Sequence, residues 1–282
     1  FGLAIVVTFV VSSVSGLMNG LRILSDWNTK IFFAIAAFVF VTGPTLFIMQ
    51  QGGTAFVDYF ATVVPRTLAY GASNDTAWVH QWTIFYWAVW MAWAPVTALF
   101  LGRISYGYTV REFVLFNFAL PSLFGAVWMS IFGGTAIYFQ LHTQANLYQL
   151  VQDQGIEQAV YGMFEQLPLA NLLSVVFLGI SFLSFVTAAD SNTTAMGGIS
   201  SSGISPESPE APMPIKIAWG VIIGLTAWIM VSFNGIEGIR MTSNLGGFPA
   251  LFLLFFVTVS LVVMMFQADR YRGPEVSDSK GG

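Results

Sequence analysis

The chain has 282 residues, of which 56% are hydrophobic and only 9% are charged, and its formal net charge is −4. Together with a mean hydropathy of +0.72, this composition excludes a soluble globular domain and indicates an all-α polytopic membrane protein. The small net charge gives no reason to expect a nucleic-acid partner, and the absence of cysteine excludes disulfides and thiolate metal sites.

Several apolar stretches approach the roughly twenty residues that a helix needs to cross a bilayer. In chain order they are span a (1–17), span b (31–50), span c (82–101), span d (113–133), span e (169–189), span f (215–233) and span g (248–267). Because the chain begins inside span a, with no Met and no basic segment, we expect a piece of a longer protein rather than a signal peptide.

Basic residues fall mostly on one side of these spans. Eight of the 10 Lys and Arg residues lie in the connections a–b, c–d and e–f or in the tail, whereas Arg66 and Arg240 lie on the opposite side. The positive-inside rule therefore places the first set in the cytoplasm, together with the C-terminus. Span a then runs inward, which again predicts further spans upstream.

Three connections carry a structural pattern. Residues 54–70, with Asp58 and Arg66 on the polar side, and residues 151–167 have the composition of amphipathic helices on the membrane surface. The alternative is that both are simply ordered loops. Residues 191–214, between spans e and f, are rich in Ser, Gly and Pro and predict turn and coil rather than helix.

Prolines predict where the spans bend. Gly43-Pro44 near the end of span b indicates a hinge, and Pro95 and Pro121 indicate kinks in spans c and d, the latter close to Asn117. Such kinks free backbone carbonyls, which is tolerated where neighbours or a cavity satisfy them.

Span c is rich in tryptophan. Tyr86, Trp90, Trp93 and Thr97 stand at i, i+4, i+7 and i+11, so a helix places them on one face. Tryptophan is usual at the membrane interface, whereas an aromatic stripe along a span suits a cage that holds a quaternary ammonium by cation–π attraction. Ordinary helix packing with an interfacial belt is the alternative.

Span e carries the candidate polar site. Its hydroxyl residues recur at helical spacing, at Ser181, Ser184, Thr187 and Ser191. Such a strip either joins helices by hydrogen bonds or offers oxygen ligands to an ion such as sodium, by the logic that applies to other hard cations. Asp190, at the predicted inner end of span e, is a functional candidate because of its position near the membrane, or else a helix-end residue facing water.

No signature of an enzyme is present in the sequence. It has no HExxH, no phosphate-cradling loop and no Ser/His/Asp set, and we interpret His80 and His142 as loop residues rather than metal ligands. We therefore predict no catalytic site, no metal and no organic cofactor.

The chain resembles the betaine/carnitine/choline transporter family over nearly its whole length. The motifs that carry the resemblance are SGLMNGLRILSDWN at 15–28, FVFVTGPT at 38–45, WTIFYWAVWMAWAP at 82–95, GRISYGYTVREF at 102–113, FVTAADSNTTAMG at 185–197 and PIKIAWG at 214–220.

This resemblance implies a sodium-symporter-like fold of about twelve spans, ten of which form two inverted five-helix repeats. The chain would hold the last seven of these spans. Residues 1–50 would be the two closing helices of the first repeat, and 51–81 an extracytoplasmic amphipathic helix and linker. Residues 82–267 would be the second repeat and 268–282 a polar cytoplasmic tail. The same analogy suggests an inner-membrane protein and a homotrimer.

The resemblance also implies that Trp90 and Trp93 line the substrate path, with Trp90 in the trimethylammonium cage. The full predicted set of substrate-binding residues is Tyr86, Trp87, Trp90, Trp93 and Thr97, and the predicted ion-binding set is Ser184, Thr187 and Asp190. The remainder of the cage would come from aromatic residues upstream of this chain.

The chain departs from the family pattern in three places. Ala188 follows Thr187 where sodium-coupled members have a Thr-Ser pair, which leaves sodium symport and sodium-independent exchange both open. Val89 precedes Trp90 where a second Trp is usual, and Tyr106 and Tyr108 stand in a loop that is often basic.

The sequence therefore predicts a secondary transporter of methylated zwitterionic or quaternary ammonium solutes, with the solute and the lipid bilayer as partners. A channel or structural membrane subunit, in which the aromatic stripe only packs, is the alternative.

Overall fold

The computed structural model describes Thr8 and residues 18–68, 83–202 and 211–267, and within these residues the regular structure is helical. The helices are α1 (Met18–Thr42), α2 (Thr45–Leu68), α3 (Phe85–Ile104), α4 (Val110–Val114), a π-helical segment (Leu115–Ala119), α5 (Leu120–His142), α6 (Leu147–Gln154), α7 (Gln158–Phe164), α8 (Ala170–Ile199) and α9 (Met213–Phe266).

The predicted membrane spans are largely confirmed. Candidate spans in the described residues are Phe85–Gly102, Val110–His142, Ala170–Ile199, Met213–Met230 and Met241–Phe266, together with the bent pair Ser25–Thr42 and Thr45–Pro65. They match spans b to g, so the chain is an all-α polytopic membrane protein. Span a lies outside the described residues except for Thr8, as does the tail at 268–282. The inverted repeat stays a prediction.

The predicted hinge at Gly43-Pro44 is confirmed, and the direction of the chain changes there by more than it does at a helix kink. α1 ends at Thr42, and α2 begins at Thr45 after a bend of 110°. Because Pro44 has no N–H, it cannot bond to the carbonyl of Phe40 four residues earlier. The Thr45 hydroxyl donates to that carbonyl instead, at 2.6 Å. Span b is therefore not one helix over 31–50, and its last residues join the predicted surface helix in α2.

A second proline is accommodated within span d. Pro121 lies in the first turn of α5, directly after the π-helical segment Leu115–Ala119. Within this segment the Asn117 side-chain amide donates to the Phe113 carbonyl at 2.9 Å. The span therefore passes through an irregular turn directly before Pro121 without ending. By contrast, α3 continues through Pro95.

The compact core lies in the first of two units, which comprises Phe1–Ser73 and Phe100–Leu225. Here α1, α2, α5, α7 and α8 pack around buried residues that include Val39, Ile131 and Phe164. Trp128 stacks on Phe132 at 4.1 Å between ring centroids, and Phe132 meets Phe164 edge to face at 6.3 Å. Span d is therefore held by aromatic contacts on the side that faces this core.

The prediction of one amphipathic helix over 151–167 is wrong in its continuity. The structure has two short helices, α6 and α7, separated at Gly155, which adopts φ +105° and ψ 160°. Only glycine enters this region of backbone space readily, so the chain turns here rather than continuing the helix.

The prediction of coil over 191–214 is wrong in its first part, because α8 continues to Ile199. Thr193, Ala195, Gly197 and Gly198 are buried in this last part of the helix. Tertiary packing therefore overrides the weak helix propensity of Thr193, Gly197 and Gly198. Residues 203–210 of the same connection lie outside the described residues.

Spans f and g are confirmed as two separate candidate spans, Met213–Met230 and Met241–Phe266, although the residues that join them are also helical, so α9 runs from Met213 to Phe266. The Thr242 hydroxyl lies 3.6 Å from the Met230 sulfur, which a straight helix would not allow across twelve residues, so the helix axis bends between the two spans. Residues 231–240 contain no proline, so nothing there removes a donor from the helical hydrogen-bond ladder.

Gly155 provides a test of this fold. Gly155→Ala places a side chain in a backbone region that costs of order 1–3 kcal/mol for non-glycine residues, so we expect it to lower the thermal stability of the purified protein in detergent. Gly53→Ala is the matched control, since Gly53 lies inside α2 with nothing within 4 Å of an added Cβ. It should stabilise the helix by up to about 1 kcal/mol. Equal shifts for the two variants would contradict the assignment.

Candidate functional site

The predicted aromatic stripe lies on α3, in the second unit, which comprises Asn74–Leu99 and Thr226–Gly282. Trp90 and Trp93 stack on each other, with ring centroids 5.7 Å apart and planes inclined by 26°. Their exposed fractions are 60% and 40%, and Tyr86 is 48% exposed. The stripe is therefore an open aromatic surface in this chain, formed by rings that contact each other.

The opposite side of α3 packs against α9 at a close crossing. A Cβ added to Gly247 would lie 2.5 Å from the carbonyl oxygen of Ala88, and one added to Gly246 would lie 3.5 Å from the Cβ of Ala92. At about 100° per residue, Ala88 and Ala92 point about 150° away from the centre of the aromatic stripe. The crossing thus faces α9 with small residues and leaves the stripe on the far side.

The other predicted substrate-binding residues take different positions on this helix. Thr97 extends the stripe toward the C-terminal end of α3 and is half-buried. Trp87 is 61% exposed but lies about 90° around the helix from the stripe, on its flank. The structure therefore brings Tyr86, Trp90, Trp93 and Thr97 together and leaves Trp87 beside them.

The hydroxyl residues of span e are half-buried on α8 in the first unit, and several of them donate within the helix. Ser184 donates to the Ile180 carbonyl at 2.8 Å, Thr187 to Leu183 at 2.7 Å and Ser191 to Thr187 at 2.9 Å. Each donated proton leaves oxygen lone pairs available for another partner. This arrangement is compatible with either role considered for the strip.

Asp190 does not lie at the end of its helix. Because α8 continues to Ile199, Asp190 occupies its interior and is half-buried. The alternative interpretation of Asp190 as a helix-end residue is therefore wrong, whereas its position at the inner end of the membrane-crossing part stays a prediction.

The sequence did not single out Asn28, which the structure places beside this strip. Asn28 is 8% exposed, and its side-chain amide donates to the Ser184 hydroxyl at 2.8 Å, joining α1 to α8. Its carbonyl oxygen has no hydrogen-bond partner among the residues that the structure describes. Exchanging the amide oxygen and nitrogen would leave the nitrogen unpaired instead, so one end of this buried amide is unsatisfied in either orientation.

An apolar groove of about 1090 Å³ lies within the first unit, between α2 and α5. It is lined by Phe56, Tyr59, Phe60 and small residues such as Gly52 and Gly133. None of the predicted substrate-binding or ion-binding residues lines it. Volume alone therefore does not identify it as the functional site.

The Asn28–Ser184 hydrogen bond has a distinctive stability signature. Ser184→Ala leaves the whole buried amide of Asn28 without its partner, and we expect a loss of about 1–3 kcal/mol in stability. Adding Asn28→Leu to this variant removes the stranded amide and should restore much of the loss, because replacing both partners by apolar groups is nearly neutral. Thermal unfolding of both variants in detergent measures this, and a double variant less stable than Ser184→Ala would contradict it.

Comparison with known proteins places the chain among membrane transporters. It is 31% identical over 264 residues to an ectoine/hydroxyectoine transporter of Virgibacillus pantothenticus, covering 94% of this chain and 52% of the relative. It is 32% identical over 257 residues to the high-affinity choline transport protein of Escherichia coli strain K12, covering 91% of this chain and 38% of the relative. A betaine/ectoine transporter of Corynebacterium glutamicum is 34% identical over 260 residues, with 91% and 39% coverage.

The chain thus spans about half, or less, of the length of these relatives. The family model that matches it extends over residues 2–270, which includes α3, α8 and α9 with the aromatic stripe and the hydroxyl strip. The chain belongs to the betaine/carnitine/choline family of transporters.

Proposed function

We propose that the protein to which this chain contributes is a secondary transporter of quaternary ammonium and related zwitterionic solutes. The observation that carries the proposal is the stacked pair Trp90 and Trp93, which is exposed on the face of α3 opposite its crossing with α9. Family membership supports it, as do the names of relatives that transport choline, betaine and ectoine.

The chemistry of the site follows from the rings. A trimethylammonium group has no hydrogen-bond donor, so polar side chains cannot recognise it well, whereas the electron-rich faces of indole rings attract it directly. The stripe provides one wall of such a cage. We propose that the opposite wall is contributed by the part of the protein upstream of this chain, and that alternating access exposes the site to each side of the membrane in turn.

The cellular setting is proposed by analogy with the family. The protein would lie in the inner (plasma) membrane with its C-terminus in the cytoplasm, as the distribution of basic residues predicts, and it would assemble as a homotrimer. It would act as a transporter and not as an enzyme. Carnitine is included among its candidate substrates because the family name includes it.

Trp90→Ala in the full-length protein tests the cage. A desolvated cation–π contact contributes about 2 kcal/mol, so its loss should raise the KM for choline or glycine betaine roughly thirtyfold. Uptake of the labelled solutes into proteoliposomes measures KM. Trp228→Ala, which removes a tryptophan that is 68% exposed on α9, is the matched control and should leave KM unchanged.

The uncharged tert-butyl analogue of choline separates charge from shape in the same assay. The original protein should be inhibited far more strongly by choline than by this analogue, and Trp90→Ala should reduce that difference. An unchanged KM in Trp90→Ala would refute the cage. Uptake that does not saturate with any of the solutes, ectoine included, would refute the transporter.

The coupling ion is a separate proposal, which rests on Thr187 and Ala188. We propose that the missing hydroxyl at Ala188 weakens a sodium site that would otherwise use oxygens of Thr187, and with them Ser184 and Asp190, because sodium prefers oxygen ligands. We expect uptake by the original protein to be similar in sodium and in potassium media. Ala188→Ser should make uptake several-fold faster in sodium than in potassium.

Sodium-driven accumulation by the original protein would contradict this proposal, since it would show that the added hydroxyl is unnecessary. Ala188→Val, which adds bulk at the same position without an oxygen, controls for a steric effect of the serine side chain.

A further inference from the structure

We infer that Gly247 is a positioning residue for the aromatic stripe, although it contacts none of its rings. This inference rests on the proposed function, because it concerns how the wall of the solute site is held in place. It follows from the geometry of the crossing between α3 and α9.

The contact at Gly247 joins backbone to backbone. The atoms nearest to an added Cβ are the carbonyl oxygen, Cα and carbonyl carbon of Ala88, at 2.5, 2.8 and 3.0 Å. All three nearest atoms belong to the backbone, so none of them can move aside as the end of a flexible side chain could. An ordinary contact distance is 3.4 Å, so the added Cβ and the Ala88 carbonyl oxygen would have to move apart by about 0.9 Å, through a shift of α3 relative to α9.

Such a displacement acts on the stripe because both surfaces belong to one helix. Ala88 lies two residues before Trp90, and α3 is continuous between them. Moving α3 away from α9 therefore carries Trp90 and Trp93 in the same direction, away from α9 and toward the space that the solute would occupy. Misplacement of a binding group by about 1 Å can cost a hundredfold in rate.

The chain offers a closely matched control in the preceding residue. An added Cβ at Gly246 would lie 3.5 Å from the Ala92 Cβ, which is ordinary van der Waals contact. Gly246→Ala and Gly247→Ala thus make the same chemical change, in the same helix and at the same crossing. They also have the same effect on helix propensity, and they differ in whether the backbones must separate.

The experiment compares these two variants in the full-length protein reconstituted in proteoliposomes. We expect Gly247→Ala to raise the KM for choline or glycine betaine by about tenfold or more, while Gly246→Ala leaves KM unchanged. A purely structural role for Gly247 would instead lower Vmax per amount of protein and thermal stability, with KM unchanged, and would overturn the inference.

A second measurement does not depend on transport. Thr97→Cys places a thiol on the stripe, and the described chain contains no other cysteine, so any cysteine elsewhere in the full-length protein is first replaced. We expect Gly247→Ala to change the rate at which a charged methanethiosulfonate modifies this thiol, and Gly246→Ala to leave that rate unchanged. Equal rates in both variants would overturn the inference.

The transport and labelling measurements together distinguish a failure of the proposed function from a failure of the positioning role of Gly247. If the original protein transports none of the solutes but the labelling rates differ as expected, the proposed function fails and the positioning role stands. If transport is saturable but the two glycine variants have equal KM values and equal labelling rates, the positioning role fails alone. Should Gly247→Ala not be recovered folded, Ala88→Ser adds one atom on the other side of the same crossing and is measured in the same way.

Discussion

Close approach between helices at small residues is the constraint on which this structure depends. Lipid chains are as apolar as leucine, so helices gain little by hiding apolar side chains from the bilayer and must gain through packing instead. Ala88 meets Gly247 in one unit, whereas Gly52 approaches Ser130 and Gly197 approaches Ala211 in the other. Each contact brings two segments near enough for many weak attractions to act together. Large side chains are thereby left free to form surfaces, as the tryptophans of α3 do.

Polar groups obey a complementary rule. Most hydroxyls on the described helices donate to a carbonyl one turn earlier, as Thr135 and Thr193 do, so they cost little to bury. Asn28 breaks this rule, because an amide cannot satisfy both of its ends within its own helix. Its bond to Ser184 therefore links α1 to α8, and its other end has no hydrogen-bond partner within the described part of the first unit.

Much of this architecture could be predicted from the sequence, and the exceptions share a physical origin. Apolar length identified the described spans, and the Gly43-Pro44 pair located the bend, because both signals are local. The extension of α8 to Ile199 was missed, since Gly197 is buried in the helix beside Ala211 and Lys216, a contact that the local pattern does not reveal. The break at Gly155 was missed because one glycine in an amphipathic pattern is ambiguous. The capping box formed by Thr109 and Glu112 at the start of α4 was readable as a T-x-x-E pattern and was overlooked.

For the candidate site, helical spacing predicted that the residues of the stripe share one face of α3. Gly247, which packs behind that helix, could not be found from spacing because it lies on a different helix.

The contact between Trp90 and Trp93 also bears on the entropy of binding. A stacked aromatic pair is worth about 0.5–1.5 kcal/mol beyond its buried area, so each ring restrains the rotamers of the other before any solute arrives. Immobilising a free side chain at a binding surface costs about 0.5–1.5 kcal/mol, and here much of that ordering is completed when α3 folds. The proposed wall of the solute site is therefore preorganised. Affinity at such a surface depends less on capturing mobile rings than on how well a compact cation matches a shape that is already fixed.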